Sequence, residues 1–174
     1  MDAILAAGRR VDFSLLNLCV WVKENGRMGS FYRSQHELVF ALKAGKAPHI
    51  NNVQLGRFGR NRTNVWRYSG ANGFGHKGRI NPLDLHPTVK PVALIADALL
   101  DSTNRGDVVL DTFAGVGSTL LAAEQTGRHC CAIEIDGHYV DIAIERWQRL
   151  TKQQAKHVTG QTFSQIKERR RGTP

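Results

Sequence analysis

Residues 107–119 read DVVLDTFAGVGST, and the rest of the chain is organised around them. Asp107 to Leu110 predicts a short strand, because β-branched and apolar side chains follow one another without a break. Asp111 falls at the carboxyl end of that strand. Gly115 and Gly117 bracket a tight turn. Ser118 to Gln125 has helical character, and Gly127 suits a stop. Strand, glycine turn and helix together form the opening unit of an α/β nucleotide pocket, where the ligand meets bare backbone at the strand's carboxyl end. The spacing is G-x-G without a third glycine, which argues against NAD or FAD. No lysine follows, so the stretch is not a phosphate-gripping P-loop.

The next strand is expected from His129 to Ile133 and ends at Glu134, 23 residues after Asp111. A carboxylate at that point can accept both hydroxyls of a ribose. The competing reading is a βαβ unit whose glycines serve only the turn. Acids at the ends of both strands favour the pocket.

DTFAGVGST at 111–119, followed by CCAIEIDGHYVDIA at 130–143, resembles the S-adenosylmethionine site of the amino-group DNA methyltransferases. HPTVKPVALIADALL at 86–100 resembles that family's HPTxKP motif. The order, HPTxKP before the glycine motif, is similar to the circularly permuted β-type arrangement. The resemblance implies an α/β, Rossmann-like S-adenosylmethionine-dependent methyltransferase fold, incomplete at its amino terminus and carrying a basic, loop-rich insertion. It implies methyl transfer to adenine N6 or cytosine N4. It also implies a cofactor set of His86, Thr88, Lys90, Pro91, Asp111, Phe113, Gly115, Gly117, Thr119 and Glu134. On this reading residues 1–174 are one partial domain: 1–45 end the catalytic part, 46–85 are target-recognition loops, 86–150 hold the cofactor and 151–174 form a basic tail.

Composition fits a polyanionic partner. The formal net charge is +9, and hydrophobic residues make up an ordinary 41%. An excess of that size favours nucleic acid over a membrane, although a basic ribosomal protein would share it. No apolar run approaches the roughly 18 residues a membrane span requires. Cys19, Cys130 and Cys131 lie in apolar runs, as buried thiols of a reducing compartment do. The expected location is therefore the cytoplasm, in association with DNA. The seven histidines are scattered and pair with no cysteine motif, so no metal is assigned.

Residues 1–8 are expected to end a helix at Gly8. Asn17 to Lys23 predicts a strand, with Leu18, Val20 and Val22 alternating against Cys19 and Trp21; Trp21 reads as core. Tyr32 to His36 predicts a turn or short helix, and Glu37 to Leu42 a second strand. Ser34, His36 and Glu37 match a YRSxHE segment that, by resemblance, edges the catalytic pocket. His36 also reads as an ordinary structural histidine. Thr88 is a candidate helix cap, with Pro91 in the first turn. Lys90 near a helix start is unfavourable for the dipole. Its position becomes reasonable if it meets a carboxylate such as the methionine end of the cofactor.

From Leu38 to Leu83 there is no Asp or Glu, yet the same stretch carries eight Lys and Arg residues and many glycines. Solvated faces usually mix their charges. Double-stranded DNA is the expected partner. Arg57, Arg60, Arg62 and Arg67 are the phosphate candidates, and Asn52, Asn61 and Asn64 can donate and accept at a base edge. The segment from Asn51 to Tyr68 also resembles a subgroup fused to a partition-protein-like domain. Beyond Thr151 the pattern fades, and the Arg-rich end is expected to be disordered.

The family's (D/S)PPY motif, which holds the target amine, has no counterpart, because no Pro-Pro pair occurs in the sequence. No catalytic residue is assigned. The chain is expected to be the carboxyl-terminal part of an enzyme whose catalytic strand lies on a preceding segment or a separate subunit. The alternatives are a non-catalytic DNA-binding or partner protein retaining the fold, and an RNA or small-molecule methyltransferase.

Overall fold

A computed structural model describes residues 1–26, 28–57, 61–70 and 89–171. The chain divides into two compact units, 1–105 and 106–174.

The first unit contains α1 (Asp2–Arg10), β1 (Phe13–Val22), β2 (His36–Ala44), β3 (Val65–Arg67) and α2 (Val92–Ser102). The strands form one sheet in the order β2-β1-β3. β1 runs antiparallel to β2, with Trp21 opposite Glu37, and parallel to β3, with Trp21 opposite Trp66. The pairing slips between Leu15 and Asn17. Alternation along β1 turns Cys19 and Trp21 inward, at 7% and 2% exposure, so Trp21 is core. Trp21 satisfies its indole N–H by donating to the Tyr68 carbonyl at 2.9 Å.

Three local expectations change here. β1 starts at Phe13 rather than Asn17, and β2 runs on to Ala44, because each strand gives the other its ladder partners. Tyr32 to His36, expected as a turn or short helix, is a bend and an irregular stretch up to residue 35, and His36 already begins β2. α1 does not stop at Gly8 but continues through it to Arg10. Gly8 is buried, and a Cβ there would lie 3.7 Å from both Leu42 Cδ1 and Phe13 Cβ, so the residue serves packing rather than termination.

The second unit contains β4 (Val108–Asp111), α3 (Ser118–Thr126), β5 (His129–Ala132), α4 (Gly137–Thr151) and α5 (Phe163–Arg171). β4 and β5 pair in parallel, with Asp111 opposite Ala132. The core is made of Val116, Leu121, Ala122, Ala123, Ala143 and Phe163. Gly127 ends α3 at φ 72°, and its N–H returns to the helix, as a left-handed stop requires. Asp136 caps α4 by accepting from the His138 N–H at 2.8 Å. Val108 and Leu110 on β4 are 67% and 66% exposed.

The expected disordered tail is ordered over most of its length. Lys156 bridges to Thr162, and α5 follows with Phe163 buried. Lys167 pairs with Glu145, and Arg170 lies 3.4 Å from Asp141. Both acids belong to α4, so cations that read as a free charged run are partly answered by the preceding helix.

Candidate functional site

In the second unit, four consecutive features converge on the turn between β4 and α3. The Asp111 carboxylate accepts the Phe113 N–H at 3.0 Å, closing an Asx turn at the strand end. The Ala114 N–H donates to the Ile133 carbonyl at 3.1 Å, and the Gly115 N–H donates to Glu134 Oε2 at 2.7 Å. The other Glu134 oxygen accepts the Asp136 N–H at 3.0 Å. Glu134 therefore ties the ends of the two strands together. It lies two residues beyond β5, where the strand was expected to run directly into it. A carboxylate offers about four acceptor positions, so these backbone bonds leave it able to receive hydroxyls as well.

The turn leaves space for a ligand. Gly115 has φ 52°, and a Cβ added there would meet nothing within 4 Å. Gly117 has φ 77° and is tight on one side: its Cβ would lie 2.7 Å from Ala143 Cβ. α4 is thus the back wall and the Gly115 side is open. No side chain caps the amino end of α3, so its first N–H groups are available to an acceptor. The Ser118 hydroxyl is buried and has no hydrogen-bond partner among the described residues. Phe113 is 90% exposed beside this turn, and Thr119 is half-buried. An acidic hydroxyl acceptor, an uncapped helix start, an orphan hydroxyl and an exposed aromatic ring are the donor and acceptor set that a nucleoside with a carboxylate tail requires. The residues present therefore fit S-adenosylmethionine.

In the first unit the candidate residues separate into two groups. Lys90 lies 3.0 Å from Glu37 Oε2, and Lys23 pairs with the other Glu37 oxygen. Both ammonium groups stand over the Trp21 ring, at 5.8 and 4.8 Å. The carboxylate that Lys90 meets is therefore a protein side chain, and it joins the HPTVKP segment to the YRSQHE segment. Burial pushes the Glu37 carboxyl up, but the two lysines outweigh this and hold it below its ordinary value. Pro91 does not occupy the first turn of α2. It is the extended residue just before the helix, with φ −61° and ψ 130°. His86 and Thr88 lie outside the described residues.

Three DNA candidates are engaged inside this unit. Arg62 Nε lies 2.8 Å from Asp101 and Nη1 3.6 Å from Asp97, with the guanidinium 5.6 Å over the Trp66 ring. Tyr68 donates its hydroxyl to Asp97. One cation thus faces two carboxylates. Burial, opposed by Arg62 and reinforced by Asp97, leaves the Asp101 carboxyl above its ordinary value. The Asn52 amide donates to the Leu100 and Thr103 carbonyls at 3.1 and 2.8 Å, closing the carboxyl end of α2. Asn64 donates to the Leu18 carbonyl at 2.9 Å. These three residues hold the loops to α2 and β1. Arg57, Asn61 and Arg67 are exposed, while Arg60 lies outside the described residues.

The sequence reading missed Arg146. Its Nη1 donates to the Val116 carbonyl at 2.5 Å. The available signal was an arginine three residues beyond Ala143, on the same side of the helix.

Known proteins resemble this chain in sequence and in fold. A family model described as DNA methylase matches residues 3–145. The chain is 27% identical to the type II methyltransferase M2.MboI of Moraxella bovis over 148 residues, which are 80% of this chain and 52% of that protein. It is 37% identical to the type II methyltransferase M.HpaI of Haemophilus parainfluenzae over 97 residues, 56% of this chain and 28% of that one. The chain therefore spans about half or less of the length of these curated relatives. Among solved structures it is similar to the M1.HpyAVI–SAM complex, with TM-score 0.67 and 25% identity over 84% of this chain and 68% of that one. It is also similar to TTHA0409 of Thermus thermophilus, a DNA modification methylase by description solved with S-adenosyl-L-methionine, with TM-score 0.61 and 25% identity over 92% and 61%. The cytosine-N4-specific PvuII methyltransferase shares the fold, with TM-score 0.69 at 18% identity over 84% and 55%. With its glycine turn, its paired acids and a family match over most of its length, the chain belongs to the N6/N4 amino-methyltransferase family of DNA methylases.

Proposed function

We propose that this chain is the cofactor-binding and DNA-contacting portion of an S-adenosylmethionine-dependent methyltransferase acting on adenine N6 or cytosine N4 of double-stranded DNA in the cytoplasm. The observation that carries the reading is the turn at 114–118, where Glu134 bonds the open Gly115 and α3 starts without a side-chain cap. Bound there, S-adenosylmethionine supplies an electrophilic methyl group. Glu134 accepts the ribose hydroxyls while its backbone bonds keep it aimed. Phe113 covers an apolar part of the nucleoside, and the α3 amides and the Ser118 hydroxyl receive acceptors. Asp111 and Thr119 complete the proposed cofactor set. Arg57, Arg60, Asn61 and Arg67 are the proposed DNA contacts.

No Pro-Pro pair occurs in the sequence, so none of these residues is assigned to holding the target amine. We place that step on a further segment or subunit carrying a (D/S)PPY strand. The lack of a Pro-Pro pair also favours a second reading, a DNA-binding protein that keeps the cofactor fold without the chemistry.

Titration calorimetry with S-adenosylhomocysteine tests the proposal. Wild type should bind. Glu134→Ala should lose about 1–3 kcal/mol, or roughly 5- to 150-fold, because it leaves two hydroxyls without an acceptor. A folded wild type that does not bind the probe refutes the cofactor reading.

A further inference from the structure

We infer that Arg146 is a positioning residue for the cofactor turn: from α4 it fixes the Val116–Gly117 peptide plane, and so aims the amide donors at the start of α3. The inference rests on the cofactor reading above.

The Val116 carbonyl and the Gly117 N–H belong to one peptide unit. The carbonyl accepts from Arg146 Nη1 at 2.5 Å, and the N–H donates to the Ala114 carbonyl at 2.9 Å. A peptide unit that precedes glycine flips easily, because glycine adopts either sign of φ at little cost. Gly117 stands at φ 77°. With both ends of the plane bonded, a flip would break two hydrogen bonds. The Ala114–Gly115 unit, whose carbonyl accepts that Gly117 N–H, is itself anchored at its other end, where the Gly115 N–H is bonded to Glu134. The turn is thus fixed from the strand side by Glu134 and from the helix side by Arg146.

The position of Arg146 costs something that packing alone would not require. Burial pushes its guanidinium pKa down, and neighbouring Arg149 adds to the effect. Among the described residues no carboxylate is paired with it. A methionine would fill similar volume without that desolvation. What the arginine supplies is a planar donor long enough to cross to a carbonyl 30 residues away. Its charge behind the turn also adds to the positive end of α3, which favours an acidic ligand group.

The test compares wild type with Arg146→Met, Arg146→Lys and a control, Trp147→Phe. The control removes the indole bond to Glu124, 2.9 Å long, from the same helix without touching the turn. Two readouts are taken: S-adenosylhomocysteine affinity by calorimetry, and amide hydrogen exchange of residues 114–121 without ligand. Arg146→Met should weaken the probe about tenfold, the loss of roughly one charged hydrogen bond, and accelerate exchange at Gly117 and Leu121. Arg146→Lys should fall between, and Trp147→Phe should match wild type in both readouts. Probe affinity within twofold of wild type together with unchanged exchange in Arg146→Met overturns the inference. If that variant does not fold, the same result in Arg146→Lys overturns it. A wild type that fails to bind the probe refutes the cofactor site, while the exchange arm still decides whether Arg146 sets the turn.

Discussion

Replacing Gly117 with alanine isolates the geometric demand of the glycine turn. The new Cβ would stand 2.7 Å from Ala143 Cβ and 3.2 Å from Ala143 Cα. The first distance is well inside contact, and the second is to backbone of α4, which cannot rotate away. The substitution also places an L-residue at φ 77°. Left-handed backbone costs a non-glycine residue about 1–2 kcal/mol, and overpacking a filled site costs about 1–3 kcal/mol more. The expected loss is therefore about 2–5 kcal/mol. Gly115→Ala is the matched comparison. It has φ 52° and no atom within 4 Å, so only the backbone cost of about 1–2 kcal/mol applies. Urea unfolding followed by circular dichroism measures both. Adding Ala143→Gly to Gly117→Ala removes the Cβ–Cβ overlap and should recover part of the loss, giving a favourable coupling in the double-mutant cycle. Equal losses at 115 and 117, or no recovery in the double mutant, would refute the assignment of α4 as the wall behind the turn.

Two further outcomes concern the first unit. Arg57→Gln should flatten the dependence of log DNA affinity on log salt by about one unit, as expected for one lost phosphate contact; Arg62→Gln should leave the slope unchanged and instead lower stability by about 2–4 kcal/mol, because it leaves Asp101 and Asp97 without their cation. Glu37→Gln should cost about 1–2 kcal/mol at pH 7, since it strands the Lys23 ammonium, whose side chain is 10% exposed. A carboxyl whose folded pKa is lowered stabilises the fold above its ordinary value of 4.5 and loses that contribution as pH falls through the lowered value. The gap between wild type and Glu37→Gln in urea unfolding should therefore be full above about pH 5 and close on further acidification; a gap that is constant with pH would remove the ion pairs as its cause.

The cofactor half was the more legible part of the sequence because its determinants are local. β4, the turn, α3 and its glycine stop follow one another within 107–127, and each depends on residues a few positions away. The end of β5 was placed one residue too late. Ile133 looks like strand, but its N–H goes to the Asp111 carbonyl and its carbonyl to Ala114, where the chain is already turning toward Glu134. The carboxyl-terminal segment failed for a different reason. α5 is strongly polar, and its order comes from Phe163 and from acids on α4, which a local hydrophobic pattern does not show.

Charge was the least legible property, and the reason is physical. The stretch from Leu38 to Leu83 has no acid of its own, so every cation in it reads as available to a polyanion. Folding brings acids to some of them from elsewhere. Arg62 receives Asp97 and Asp101 from α2, more than thirty residues later. Lys90, just beyond the stretch, receives Glu37 from β2, more than fifty residues earlier. Desolvating a cation is costly unless a carboxylate or a carbonyl answers it, and sequence distance does not enter that balance. An exposed cation needs no such answer. The useful division of a basic stretch is therefore by burial: Arg57 and Arg67 lie exposed at the surface, whereas Arg62 is engaged by Asp97 and Asp101 of its own unit. It follows that the count of eight cations overstates the positive field of this stretch, because Asp97 and Asp101 offset Arg62 from outside it.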